Sequence, residues 1–213
     1  MAIIDLNIGD LTDHVAKAVT ALNDGYVIVL PLENSYTLVA SAFSHDAVRA
    51  LHVLRGDKLG VAAQVMISKV ENIDGIAREI SAEARSLMKE FWPGKLSLNL
   101  RPQLGLNWDL GDTRELDWIS VRIPESEFLL KVISSHGPVA VASAAKLGSH
   151  PIIDPDELPF SDIEVSAIFS AGLIPNGPLS TVIQCEGVDL SILREAAIAR
   201  DQITAIAPSI SAL

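Results

Sequence analysis

The stretch that most constrains this chain is a five-residue apolar run, Tyr26-Val27-Ile28-Val29-Leu30, set between Asn23-Asp24-Gly25 and Pro31. A run of this length without polar alternation is the pattern of a strand buried on both faces. Asn23-Asp24-Gly25 is a turn signal, and it stops a preceding helix. That helix is predicted over Leu11–Leu22, where Leu11, Val15, Ala18, Val19 and Leu22 share one face. After Pro31 ends the strand, the polar residues Glu33, Asn34 and Ser35 follow at its carboxyl end. Open α/β sheets usually place ligands there.

The rest of the chain repeats this alternation. Helices are predicted over His45–Leu54, with Ser44 as N-cap, within Ile73–Trp92, ended by Pro93-Gly94, and over Phe128–Ser135. Strands are expected at Ala63–Ile67, Leu96–Leu100, Ile119–Ile123, Val139–Ala142, Ala167–Phe169 and Thr181–Ile183. Leu104–Asp117 and Ala144–Pro159 read as loops rich in polar and turn-forming residues. The fold class that follows is α/β: a twisted mixed, largely parallel sheet with flanking helices. No repeat or low-complexity linker divides the 213 residues, so one domain over 1–213 is expected.

Charge and cysteine content narrow the function. The net charge of −11 argues against general affinity for nucleic acid, which needs clustered Lys and Arg, yet leaves room for a local basic pocket. Cys185 is the single cysteine, so no internal disulfide forms, and a buried hydrophobe is its expected role. The start, MAIIDLNIGD, lacks a basic region before an apolar run, and a cytoplasmic protein is the expectation. The five histidines show no H-x-x-x-H or H-x-H spacing, so no protein-bound metal is predicted. Phosphate-loop, dinucleotide and nucleophile-elbow motifs are missing.

An ordered set of blocks carries a resemblance. GYVIVLPLENSYTL (Gly25–Leu38), VLRGDKLGVAAQVMI (Val53–Ile67), FWPGKLSLNL (Phe91–Leu100), ISVRIPES (Ile119–Ser126), VAVASAAKLGSHP (Val139–Pro151) and GPLSTVIQ with ILREAAI (Gly177–Gln184, Ile192–Ile198) occur in this order. Together they resemble the YrdC-like family of threonylcarbamoyl-AMP synthases. The resemblance implies a concave basic cavity and a reaction joining threonine, bicarbonate and ATP, with magnesium, into threonylcarbamoyl-AMP. It also implies a partner complex that modifies an adenosine of tRNA. By position in the matched blocks, Arg55, Ser143 and Arg194 are implied for the nucleotide. Asn34, Tyr36, Arg122, Ser180 and Thr181 are implied for the amino acid substrate. No catalytic residue is assigned.

The chain departs from the family pattern at several of these positions. Leu32-Glu33-Asn34 replaces T-D-T, Thr37 replaces a glycine, and Ala145 replaces the asparagine of S-A-N. Asp57 stands at the second basic position of K-x-R, which predicts a reversed charge beside the triphosphate and weakened ATP binding. Lys58 and Lys146 are the nearby candidates to restore that charge. Two readings follow: a divergent synthase, or a non-catalytic relative that binds nucleotide, double-stranded RNA or a protein partner. An oligomer is compatible with either.

Overall fold

The computed structural model describes residues 2–112, 116–161 and 164–212. The first half of the chain runs β1 (Ala2–Asp5), α1 (Leu11–Asn23), β2 (Ile28–Pro31), β3 (Tyr36–Ser41), α2 (His45–Arg55), β4 (Gln64–Met66), α3 (Ile73–Ile76), β5 (Ala77–Arg78), α4 (Ala82–Phe91) and β6 (Leu96–Pro102). The second half runs β7 (Ile119–Arg122), α5 (Glu127–His136), β8 (Val139–Ser143), β9 (Ala167–Ser170), β10 (Thr181–Glu186), β11 (Asp189–Arg194), α6 (Arg200–Ile206) and β12 (Ser211–Ala212).

The apolar run behaves as its composition requires. Ile28, Val29 and Leu30 have no exposed surface. Burying such side chains contributes roughly 1.5–3 kcal/mol each. The two helices that flank this region start on side-chain caps. Asp10 accepts from the backbone N–H of Thr12 at 2.6 Å, and Ser44 accepts from that of Ala47 at 3.3 Å. The helix expected within Ile73–Trp92 is split. The chain leaves it at β5, where Ala77 and Arg78 pair with Pro102 and Arg101, and Ser81 caps a fresh helix.

The strands form one mixed sheet in the order β1-β9-β2-β3-β8-β4-β7-β6-β10-β11-β12, with β5 paired to β6. Parallel pairs at β1–β9, β9–β2, β4–β7, β6–β10 and β11–β12 are joined through antiparallel ones. Helices cover the two faces unequally. Val15, Ala18 and Leu22 of α1 and Phe128, Leu129, Val132 and Ile133 of α5 pack over β2, β3, β8 and β9. On the opposite face, residues of α2, α3, α4 and α6 belong to a larger cluster with Leu38, Val65, Leu98, Val121 and Ile183. Val141 and Met66 mark where the α1–α5 cover stops: they pack into its cluster and also line an open cavity. Among the described residues no helix is long and apolar enough to cross a membrane. Residues 113–115 of the loop expected over Leu104–Asp117 lie outside the described residues.

Candidate functional site

The cavity occupies about 560 Å³ on the half of the sheet that α1 and α5 leave bare. Period-two alternation builds its floor. Leu96, Leu98 and Leu100 of β6 and Ile119 and Val121 of β7 point into the core, which turns Asn99, Ser120 and Arg122 to the cavity. Gln64 of β4 crosses this floor, donating through Nε2 to Ser97 Oγ at 2.8 Å and Ser120 Oγ at 3.2 Å. The lining includes four basic residues, Arg55, Arg122, Lys146 and Arg194, and among the described residues no acidic one. In a chain of net charge −11 this local reversal of sign focuses the field on an anionic ligand.

Arg122 sits at the inner end, 4 % exposed. Its Nε donates to the carbonyl of Gly94 at 2.6 Å and its Nη1 to Ser180 Oγ at 3.0 Å. Nη2 lies 2.7 Å from Glu33 Oε1, an ion pair whose N–H is not aligned for a hydrogen bond. Glu33 Oε1 also accepts from the backbone N–H of Glu125 at 2.6 Å, while Oε2 is buried without a hydrogen-bond partner. The guanidinium is therefore held by three separate segments of the chain, and Ser180, whose oxygen accepts from it, keeps its own proton for a ligand. Asn34 completes this end: its Nδ2 donates to the carbonyls of Gly177 and Pro178 at 3.0 and 3.1 Å.

At the mouth, Arg194 donates through Nε to the carbonyl of Ser180 at 2.9 Å, and partial burial lowers its guanidinium from the ordinary range. Ser143 Oγ accepts from the backbone N–H of Ala145 at 3.2 Å. Arg55, at the end of α2, pairs with Asp57 at 3.4 Å.

Of the residues singled out from sequence, Asn34, Arg55, Arg122, Ser143, Ser180 and Arg194 line the one cavity. Tyr36 and Thr181 do not. Each neighbours a lining residue, and alternation sends them to the core side. The Tyr36 hydroxyl donates to the carbonyl of Gly172 at 2.7 Å and accepts from the N–H of Ala171 at 3.1 Å. Thr181 Oγ1 donates to the carbonyl of Ile198 at 2.9 Å and accepts from the N–H groups of Ala196 and Ile198. Both hydroxyls are used within the fold. Thr37, Gln64, Asn99 and Ser120 line the cavity and were missed; for Gln64, Asn99 and Ser120 the available signal was their place on the expected strands that carry or flank Arg122.

Asp57 also departs from expectation. Its carboxylate is fully buried, 2.8 Å from His52 Nδ1, while His52 Nε2 lies 2.7 Å from the carbonyl of Leu110. It is absent from the cavity lining, so its charge faces α2 and not the cavity. Lys146 lines the cavity, whereas Lys58 lines a different one with Asp57 and Leu59.

A mixed sheet with a half-covered face and a concave cavity lined by basic side chains defines an α/β protein whose pocket is shaped for an anionic small molecule, and comparisons place it further. The Sua5/YciO/YrdC family model, described as telomere recombination, matches residues 20–196. The chain belongs to this family. It is 28 % identical to a Mycobacterium tuberculosis relative over 90 % of this chain and 88 % of that protein. It is 27 % identical to the threonylcarbamoyl-AMP synthase of Bacillus subtilis, covering 92 % of this chain and 59 % of that one. The structure of Pyrococcus abyssi Sua5 complexed with L-threonine superposes with a TM-score of 0.88 at 26 % identity, over 100 % of this chain and 63 % of that one. This chain thus spans less than two thirds of those two longer relatives.

Proposed function

We propose that this chain binds ATP, L-threonine and bicarbonate in the cavity and forms L-threonylcarbamoyl-AMP, the activated group used in tRNA threonylcarbamoyladenosine modification. The observation that carries this is the gathering of Arg55, Arg122, Lys146 and Arg194, without an acid, on one polar concave floor. In the proposed reaction the threonine amine takes up bicarbonate with loss of water. The resulting carbamate oxygen attacks the α-phosphorus, and the bond to the β-phosphate breaks to release pyrophosphate. Negative charge grows on that leaving group, which is where preorganised cations lower the barrier.

The inner end suits the amino acid. Ser180 and Asn34 present a hydroxyl proton and an amide oxygen, and Arg122 supplies positive potential from behind. Arg122 is already engaged by Glu33, so its part is to hold Ser180 and the field rather than to grip a carboxylate with both arms. Arg55, Ser143 and Arg194 at the mouth suit the phosphates. Because the described residues of the lining offer no carboxylate, magnesium would arrive on the nucleotide's own oxygens.

A second reading, a binding protein without turnover, draws on Ala145, which offers a methyl where the family pattern has an amide, and on the Arg55–Asp57 pair. A cavity of this size favours a small ligand over duplex RNA. The deciding assay is pyrophosphate release from ATP, magnesium, bicarbonate and threonine. Threonine-dependent release supports the synthase. Binding of ATP and threonine without release supports the second reading.

A further inference from the structure

We infer that Lys146 is a phosphate-binding residue of this site, and that a side cavity beyond it receives the non-phosphate end of the nucleotide. This rests on the nucleotide reading above and adds a residue and a direction to it. Ser143 ends β8, and Ala145 leads from it to Lys146, which opens a turn closed where the N–H of Ser149 donates to the carbonyl of Lys146 at 3.0 Å. The second cavity, about 370 Å³, is walled by Val53, Leu54, Pro159 and Phe160. Arg55 and Lys146 line both cavities, and among the described residues they are the two that do. The junction between a polar floor and an apolar recess is thus flanked by two cations.

The two cations are not equivalent. Arg55 shares its charge with Asp57. Lys146 has no carboxylate within ion-pair distance among the described residues. The nearest acidic influence is Glu164, which also lines the side cavity. That carboxylate is committed to Ser161, accepting from its N–H at 2.8 Å and its hydroxyl at 2.6 Å. These bonds hold the carboxyl below its usual range, and Lys146 adds a smaller pull in the same direction. Lys146 is exposed, on a flexible stem, and reaches the cavity from the turn that follows β8, whose last residue carries the Ser143 hydroxyl. A polyphosphate laid across the junction meets Arg55, Lys146 and Ser143 together. Whatever is attached to it on the far side meets apolar walls, which suits a nucleoside and not a second anion.

The test is calorimetric titration of the full chain with sodium pyrophosphate and with ATP, both with magnesium. Lys146→Ala should weaken both ligands by about tenfold, as loss of one charge-assisted contact does. Lys146→Arg should retain most of the affinity, and Lys58→Ala should change neither. Val53→Trp, at a position 80 % exposed and therefore tolerant, fills the side cavity. It should weaken ATP several-fold while leaving pyrophosphate unchanged. If the wild type binds ATP and Lys146→Ala binds it equally, the role of Lys146 is overturned and the nucleotide reading stands. If Val53→Trp leaves ATP untouched, the side cavity is not used. If the wild type binds neither ligand, the nucleotide reading itself falls, and this inference with it.

Discussion

The two ends of the cavity are built differently. At the inner end, Arg122 is 4 % exposed on a sheet strand and is gripped by Gly94, Ser180 and Glu33. At the mouth, Arg55 and Lys146 lie at a helix terminus and on a turn, and the carboxylate beside Arg55 is buried against His52. The inner end spends its charge on architecture and offers a ligand fixed hydroxyl and amide groups. The mouth keeps Lys146, which has no ion pair among the described residues, on a flexible stem that can follow a ligand. Changes in family motif residues therefore mean different things in the two places. At the inner end a substitution threatens the fold, and at the mouth it tunes affinity.

The sharpest way to break this contrast is Arg122→Ala. It leaves the Glu33 carboxylate buried without its counter-charge, and should cost about 3–5 kcal/mol in urea unfolding. Adding Glu33→Gln should recover a large part of that loss. A stability change below about 1 kcal/mol would put Arg122 in the same class as the mouth residues.

Gly111→Ala tests the scaffold behind the mouth. Gly111 has φ +100°, and a methyl there would collide with the His52 ring and approach the carbonyl of Val61 to 2.8 Å. A loss of about 2 kcal/mol or more is expected from strain and displacement of His52. Wild-type stability would show that His52 gives way freely.

Asp57→Ala comes next. Removing the shared acceptor of His52 and Arg55 should cost about 1.5–3 kcal/mol, the range for hydrogen bonds to charged groups. Pyrophosphate affinity should change little by comparison, because the carboxylate faces away from the cavity. A large gain in affinity at small stability cost would show that Asp57 does repel the bound anion.

The smallest effect is a pH dependence. Burial raises the Asp109 carboxyl, but the Gly111 N–H and the Arg49 guanidinium outweigh it and leave the group below its ordinary range. A lowered value means stabilisation that is full above the unfolded-state pKa and is lost as pH falls through the folded one. Asp109→Asn should flatten the acid limb of the stability curve by well under 1 kcal/mol, since Arg49 is 56 % exposed.

Much of this architecture was legible in the sequence because periodicity reports burial. The apolar run of β2 and the strand expected over Leu96–Leu100 were found where they lie. Strand alternation, applied to pairs, would have set Thr37 apart from Tyr36, since neighbours on a strand point to opposite faces of the sheet. β3 was hidden because Tyr36–Ser41 is buried on both faces and carries polar residues inside. β11 and α6 lack strong patterning. The direction of Asp57 was not legible at all: a carboxylate two residues past a helix turns inward only because His52 and Arg55 meet it there, and sequence spacing does not say which way a loop folds.

The contacts that assemble the inner end join distant parts of the chain. Asn34 reaches carbonyls 143 and 144 residues away, and Arg122 reaches Ser180 across 58. Each closes a long loop, and such closures come late and slowly in folding because their entropy must be spent before the contact rewards it. The inner end of the cavity is thus complete only when residues near 34, 94, 122 and 177–180 have come together. A ligand seated at the inner end would therefore touch segments far apart in the chain, and its binding would report whether those segments have docked.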